Sequence, residues 1–195
     1  MENEIKEPAL KYNYTSAEEY LQMERSSSEK HELHHGTVIT MTGASLKHNQ
    51  IVSNLIGDIS PFLKDKSCQV FPSDLRTKVP AEDTFTYPDV SIVCGEPELM
   101  DEHFDTILNP SVIIEVLSPS TEKYDKGNKF FYYMQIKSLT EYFMISSTEI
   151  YVHIGRKQND NSWKFEEIKN ETASLFINTI QHAISLKDVY TNVKF

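Results

Sequence analysis

The chain has 195 residues, of which 39% are hydrophobic and 25% charged, so it is long enough for one folded domain, and its composition excludes a disordered protein. It has no apolar stretch long enough to span a bilayer and no secretory signal in its charged N-terminus, which predicts a cytoplasmic protein without a membrane partner. The net charge of −10 argues against binding nucleic acid over the whole surface, although the segments flanking the acidic stretch 81–110 are mildly basic.

The first predicted elements are a helix and a hairpin. Residues 1–12 are expected to form a flexible tail. Thr15 and Glu18 have the spacing of a capping box, which predicts a helix over about 16–24. The β-branched run Thr37-Val38-Ile39-Thr40 after Gly36 predicts the second arm of a β-hairpin.

A longer helix and several strands follow the hairpin. Ser45 is the predicted N-cap of this helix, whose apolar residues recur at helical spacing as far as Leu63, and Pro61 should kink it or mark its last turn. The later elements are strands near 69–71, 75–79, 89–94 and 111–117, a helix from about Glu122 to Gln135, and strands near 141–146, 150–155 and 163–168. This order predicts one α/β (α+β) domain, a mixed sheet with helices packed against it.

The two cysteines, Cys68 and Cys94, lie singly inside apolar runs. A cysteine in such a run is most often a small buried hydrophobic side chain. We therefore predict no disulfide framework, as in proteins of a reducing compartment.

Two carboxylates lie in the strongest predicted strands. Asp89 begins one strand directly after Pro88, and Glu115 lies inside the apolar run of another. A carboxylate in an apolar strand is costly to bury without a cation or several hydrogen-bond donors. If the two strands are neighbours, both side chains can converge on one Mg²⁺ ion. The alternative is that Glu115 faces solvent or pairs with a lysine.

Three sequence motifs occur in a fixed order around these carboxylates. They are Tyr87-Pro88-Asp89, then Glu115-Val116-Leu117-Ser118-Pro119-Ser120-Thr121, then the D-x-x-x-K pattern of Asp125 and Lys129. In this order and spacing they resemble the Uma2 family (formerly DUF820) of the PD-(D/E)XK nuclease superfamily, over about residues 14–155. The resemblance implies a restriction-endonuclease-like mixed β-sheet core flanked by helices, with an N-terminal helix and β-hairpin.

The resemblance also implies an activity, which is metal-dependent endonucleolytic cleavage of DNA by a homodimer. Asp89 and Glu115 would be ligands of Mg²⁺ or Mn²⁺, with the carbonyl of Val116 completing the shell, and Glu32 would be an accessory acid. Supporting positions implied in the same way are Asp74, His48, Ser118 and Asp125. His48 lies three residues after the Ser45 cap, so it is either a partly exposed helix residue or a group near the phosphate.

The chain departs from the superfamily pattern two residues after Glu115, where Leu117 replaces a lysine. That lysine would orient the attacking water or stabilise the transition state. The family resemblance makes Lys129 the candidate replacement. The alternative is that Lys129 and Asp125, which lie four residues apart, form an ordinary surface ion pair.

Two other functions remain open on the sequence alone. The first is a catalytically silent nuclease fold that binds nucleic acid or protein, which Leu117 and the net acidity favour. The second is a zinc hydrolase, because His31-Glu32-Leu33-His34-His35 satisfies the H-E-x-x-H pattern. That pattern requires a helix, whereas Gly36 and the β-branched run after it favour a hairpin.

Overall fold

The computed structural model describes residues 14–80, 83–119 and 125–195, and the first residues of the chain, predicted to be a flexible tail, lie outside these ranges. The helices are α1 (Ala17–Ser26), α2 (Leu46–Leu63), α3 (Phe130–Tyr133) and α4 (Leu186–Val189), with a π-helical turn at Asp125–Lys129 and a 3-10 turn at Asn178–Ile180. The strands are β1 (His31–His34), β2 (Thr37–Thr40), β3 (Cys68–Pro72), β4 (Arg76–Val79), β5 (Thr84–Thr86), β6 (Val90–Cys94), β7 (Thr106–Ile107), β8 (Val112–Leu117), β9 (Glu141–Ser146), β10 (Val152–Lys157), β11 (Trp163–Ile168), β12 (Ser174–Ile177) and β13 (His182–Ser185).

These strands form three sheets. One has the order β2-β1-β5-β4-β7, the second has the order β11-β10-β9-β8-β6-β3, and β12 and β13 form a two-stranded sheet. Both larger sheets are mixed, because β4 pairs with β7 and β8 pairs with β9 in parallel while their other pairs are antiparallel. The predicted mixed α+β fold is therefore confirmed.

The first helix is capped one residue later than the sequence predicted. Ser16 is the N-cap of α1, and it exchanges hydrogen bonds with Glu19 to form the capping box. Thr15 is not the cap, because its backbone N–H donates to the carbonyl of Gly36 and so joins the hairpin turn.

The predicted hairpin is confirmed as β1 and β2, joined by His35 and Gly36. Both turn residues have positive φ, 47° and 77°, as a type I′ hairpin turn requires. Gly36 is needed here, because a Cβ at this position would collide with the ring of Tyr14.

Helix α2 covers one face of the six-stranded sheet. Ser45 caps it as predicted, and Pro61 lies in its last turn. Its buried side chains pack on the alternate residues Val112, Ile114 and Val116 of β8. The remaining β8 residues point to the opposite face, where Ile113 and Leu117 join a second core cluster. Glu115 shares the face of Ile113 and Leu117 and therefore points away from α2.

The structure describes only part of the helix predicted from Glu122 to Gln135. Residues 120–124 lie outside the described ranges, and the chain then forms the π turn and the single helical turn α3. The N–H groups of Gln135 and Ile136 bond to carbonyls only three residues earlier, which tightens and ends the helix.

The prediction for the cysteines is wrong, because Cys68 and Cys94 form a disulfide. The antiparallel register of β3 and β6 places the two residues directly opposite each other, and this pairing is not visible in the sequence. The inference of a reducing compartment thereby loses the observation on which it rested. No helix in the described ranges is long and apolar enough to cross a membrane.

Candidate active site

Asp89 and Glu115 lie side by side because β6 and β8 are neighbours in the six-stranded sheet. The register pairs Val90 with Ile114, so the residue before β6 lies next to the end of β8. The backbone N–H of Asp89 is 3.4 Å from Glu115 Oε2, and the N–H of Val116 donates to Asp89 Oδ2 at 2.7 Å. The two carboxylates that the sequence singled out therefore share one site.

Lys129 reaches the same site from the last residue of the π turn. Its Nζ lies 2.9 Å from Glu115 Oε1 and 3.1 Å from Glu32 Oε1. The side chain is buried, so these contacts are shielded from solvent. The structure thus brings together four of the predicted site residues, which are Glu32, Asp89, Glu115 and Lys129. The ion pairs that Lys129 forms with the two glutamates are buried and are not ordinary surface ion pairs.

Glu32 is held as a charged, buried group by several donors. Burial would raise its pKa, but the charge of Lys129, a hydrogen bond from His34 and the backbone N–H of Tyr87 outweigh burial and lower the pKa to about 2. His34 Nε2 is 2.9 Å from Glu32 Oε2, and the Tyr87 N–H is 2.9 Å from Oε1. Glu32 is therefore ionised over the whole physiological pH range.

Tyr133 fixes the other carboxylate. Its hydroxyl donates to Glu115 Oε1 at 2.8 Å and lies 3.1 Å from Thr86 Oγ1. Burial, followed by the negative charge of Glu115, raises the pKa of Tyr133 well above its ordinary value. The phenol consequently stays protonated and acts as a hydrogen-bond donor.

His48 is in the site, in the first turn of α2. Its Nε2 is 3.0 Å from Asp89 Oδ2, the same oxygen that accepts from Val116. Its Nδ1 is buried and has no hydrogen-bond partner within the described part of the chain. The sequence left open whether His48 is a partly exposed helix residue or a group of the site. Its contact with Asp89 favours a group of the site.

A cleft of about 810 Å³ lies between the two larger sheets and the N-terminus of α2, and its lining includes Glu32, His48, Asp89, Glu115 and Lys129. Val116 and Ser118 also lie on its wall. Asp74 does not line the cleft, but its 82% exposed side chain pairs with Lys30 at the rim. The side chain of Asp125 lies outside the described part of the structure.

The H-E-x-x-H residues do not lie on a helix. His31 and His34 begin and end β1, and His35 is the first residue of the turn. His31 Nδ1 contacts Glu24 Oε2 at 2.9 Å, whereas the His35 ring packs against Tyr132. The histidines therefore lack the shared helical face on which this zinc motif depends.

The oxygen donors of the cleft fit a hard divalent cation. Among the described side chains that line the cleft, Glu32, Asp89 and Glu115 bring three negative charges against the positive charges of Lys129 and of Lys30, which pairs with Asp74 at the rim. Mg²⁺ prefers oxygen ligands, and one or two carboxylates with several waters are enough to hold it. In the described ranges, no three His, Cys, Asp or Glu side chains form a ready metal-binding group, so a cation here would depend on two carboxylates and water.

Sequence reasoning missed three residues of this network: His34, Tyr87 and Tyr133. A signal existed for two of them. Glu32 and His34 are two apart on a strand and share a face, and Tyr133 follows Lys129 by one helical turn. Tyr87 contributes its backbone N–H, which no side-chain pattern indicates.

Comparisons with known proteins identify the family and the fold. A profile of the Uma2 family, described as "Putative restriction endonuclease", matches residues 17–187. Two proteins of Synechocystis sp., "Uncharacterized protein sll1609" and "Uncharacterized protein slr1290", are each 35% identical to the chain. The first match covers 82% of this chain and 90% of the relative, and the second covers 80% and 81%. The crystal structure of "a putative nuclease belonging to DUF820" from Anabaena variabilis has the same fold, with a TM-score of 0.75 at 20% identity, over 90% of this chain and 97% of that one.

Proposed function

Because the chain belongs to the Uma2 family, we propose that its cleft is the active site of a divalent-metal-dependent endonuclease that hydrolyses phosphodiester bonds in DNA. The observation that carries the proposal is the convergence of Asp89, Glu115 and Lys129 at one wall of the cleft. Two carboxylates and a lysine are the groups that metal-assisted phosphodiester hydrolysis uses.

Asp89 and Glu115 would hold Mg²⁺ or Mn²⁺, with the Val116 carbonyl as a further oxygen donor. A bound divalent ion would lower the pKa of a water and stabilise the charge that develops on the phosphate. His48 and the Val116 N–H fix one oxygen of Asp89, and Tyr133 fixes one oxygen of Glu115. The carboxylates are thus oriented before substrate binds.

Lys129 would supply the positive charge that the superfamily places two residues after the strand carboxylate. Its Nζ is held between Glu32 and Glu115, so its direction into the cleft is set. From there it can orient a water or neutralise charge on a phosphate oxygen. Glu32 acts through Lys129, with its own position fixed by His34 and Tyr87.

The test is cleavage of supercoiled plasmid and of single-stranded DNA with Mn²⁺. We expect the wild type to cut and Glu115→Gln to lose at least about a hundredfold in rate, because the substitution keeps the shape but removes the charge. Glu96→Gln is the matched control, since Glu96 is exposed and remote from the cleft.

Two outcomes would contradict the proposal. Equal cleavage by Glu115→Gln and the wild type would assign the activity to a contaminant. The absence of cleavage in the wild type, together with no Mn²⁺-induced rise in melting temperature, would favour the silent binding module. That module is the second candidate, because Leu117 occupies the lysine position and is buried in a core cluster.

A further inference from the structure

Strand β2 is an exposed sheet edge without charge. It is the outer strand of the five-stranded sheet, and within the described ranges it pairs with β1 on one side only. Three of its four residues are exposed, and Ile39 is 44% exposed. The segment 36–46 contains no Asp, Glu, Lys or Arg, although a quarter of the chain is charged.

Such an edge is unusual, because proteins normally protect exposed edges with charged residues, proline or very short strands. The other edges of the two larger sheets carry these features. β7 has only two residues, β3 ends in Pro72, and β11 carries Lys164 and two glutamates. β2 has four residues rich in β-branched side chains and none of these features.

The hairpin geometry determines which backbone groups of β2 point outward. Met41 N–H donates to the Lys30 carbonyl at 2.8 Å, so the hydrogen-bonded pairs of the hairpin alternate from there along the strand. Thr37 and Ile39 therefore bond towards β1. Val38 and Thr40 direct their N–H and C=O groups to the open edge.

These outward groups are self-complementary. When β2 meets an antiparallel copy of itself centred on Ile39, Val38 of each copy lies opposite Thr40 of the other, and four backbone hydrogen bonds form. The two Ile39 side chains face each other across the twofold axis. Each chain carries a net charge of −10, so an uncharged strand is where two copies can approach without like-charge repulsion.

We infer that β2 is a homodimer interface, through which two copies join their five-stranded sheets edge to edge around Ile39. Ile39 is opposite Glu32 in the hairpin, and both line the cleft. The Ile39 of a second copy would therefore extend the cleft wall, and both clefts would open on the same face of the joined sheet. The pairing does not depend on nuclease activity. Its use for cutting both strands of a duplex rests on the proposed function.

The first test is the mass of the full chain in solution, measured by sedimentation velocity at tens of micromolar. We expect a dimer, and Ile39→Lys should raise its dissociation constant by about tenfold or more, since two like charges would face each other. Phe176→Lys is the matched control, because Phe176 is 40% exposed on a different sheet. A monomeric wild type, or a dimer that Ile39→Lys leaves unchanged, would overturn the inference.

The second test examines the register by cross-linking. Opposite residues in a non-hydrogen-bonded pair have Cα atoms about 4.5 Å apart, within disulfide range. Ile39→Cys should therefore form a disulfide-linked dimer under mild oxidation. Thr37→Cys should not, because the two copies of that residue would be about 13 Å apart. Cross-linking at 37 but not at 39 would refute the pairing around Ile39. Neither readout uses DNA cleavage, so the result is separable from that of the nuclease assay.

Discussion

Replacing Lys129 by methionine tests the electrostatic interpretation of the site most directly. The substitution keeps an unbranched side chain of similar length but removes the positive charge that contacts Glu32 and Glu115. Both carboxylates stay buried, and burial then dominates their energetics. We expect a large loss of stability in the absence of metal.

The size of the expected stability loss can be estimated from the pKa of Glu32. The pKa of this residue falls from 4.5 to about 2 in the folded protein, even though burial alone would raise it. A fall of this size corresponds to about 3 kcal/mol of folding free energy at neutral pH. Because the folded-state pKa is the lower one, this stabilisation is complete above about pH 4.5 and is lost as the pH falls towards 2. Removing Lys129 should therefore cost about 3–5 kcal/mol near pH 7, the usual cost of breaking a buried ion pair. The loss of folding free energy caused by the substitution should be smaller at acidic pH, where Glu32 becomes protonated.

The assay is urea unfolding, followed by circular dichroism near pH 7 and again near pH 3.5 without metal. Lys169→Met is the control, since Lys169 and Glu167 have the same 2.9 Å contact but lie on the surface. It should leave the free energy of unfolding unchanged within error. If Lys129→Met loses no more stability than Lys169→Met near neutral pH, the account of a buried, compensated carboxylate pair is wrong.

Further predictions concern one hydrogen bond and one disulfide. Tyr133→Phe removes the donor to Glu115, so we expect a loss of about 1–3 kcal/mol in urea unfolding and weaker Mn²⁺ binding in the thermal-shift assay. An unchanged metal affinity would assign Tyr133 a purely structural role. Cys68→Ser should cost about 3.5 kcal/mol, estimated from the loop-closure entropy of the 26-residue separation. Dithiothreitol should produce the same loss in the wild type and none in the variant. A wild type insensitive to dithiothreitol would contradict the disulfide.

Local chemistry made parts of this fold predictable from the sequence. Burying a carboxylate inside an apolar strand costs free energy, so the sequence alone predicted that Glu115 is a site residue. Serine preference at helix starts located the cap of α2, and the Gly36 turn located the hairpin. The short strands β5, β7, β12 and β13 were missed because two to four residues carry too little periodicity.

The missed contacts depend on register and backbone direction. Cys68 meets Cys94 only because β3 and β6 are antiparallel neighbours in one particular alignment. Tyr87 reaches Glu32 through its N–H, which every residue except proline possesses. The described part of the helix predicted after Glu115 begins with a π turn, and Lys129 is the last residue of this turn. No local pattern encodes the disulfide or the Tyr87 contact, because each is a property of two chain segments together.

Under the proposed function, Lys129 supplies by a different route the positive charge that the superfamily pattern places at the position of Leu117. A lysine here would share the face of Glu115, because side chains two apart on a strand point the same way. That face is covered by Phe130, Tyr133 and other apolar side chains of the second core cluster, so Leu117 contributes to packing. The segment that provides this apolar cover begins at Lys129, whose ammonium group lies 2.9 Å from Glu115. The segment that covers this face of β8 therefore also places the ammonium group of Lys129 beside Glu115. Under the proposed function, exchanging the two residues would not restore the site, because a lysine at position 117 would be buried among apolar groups.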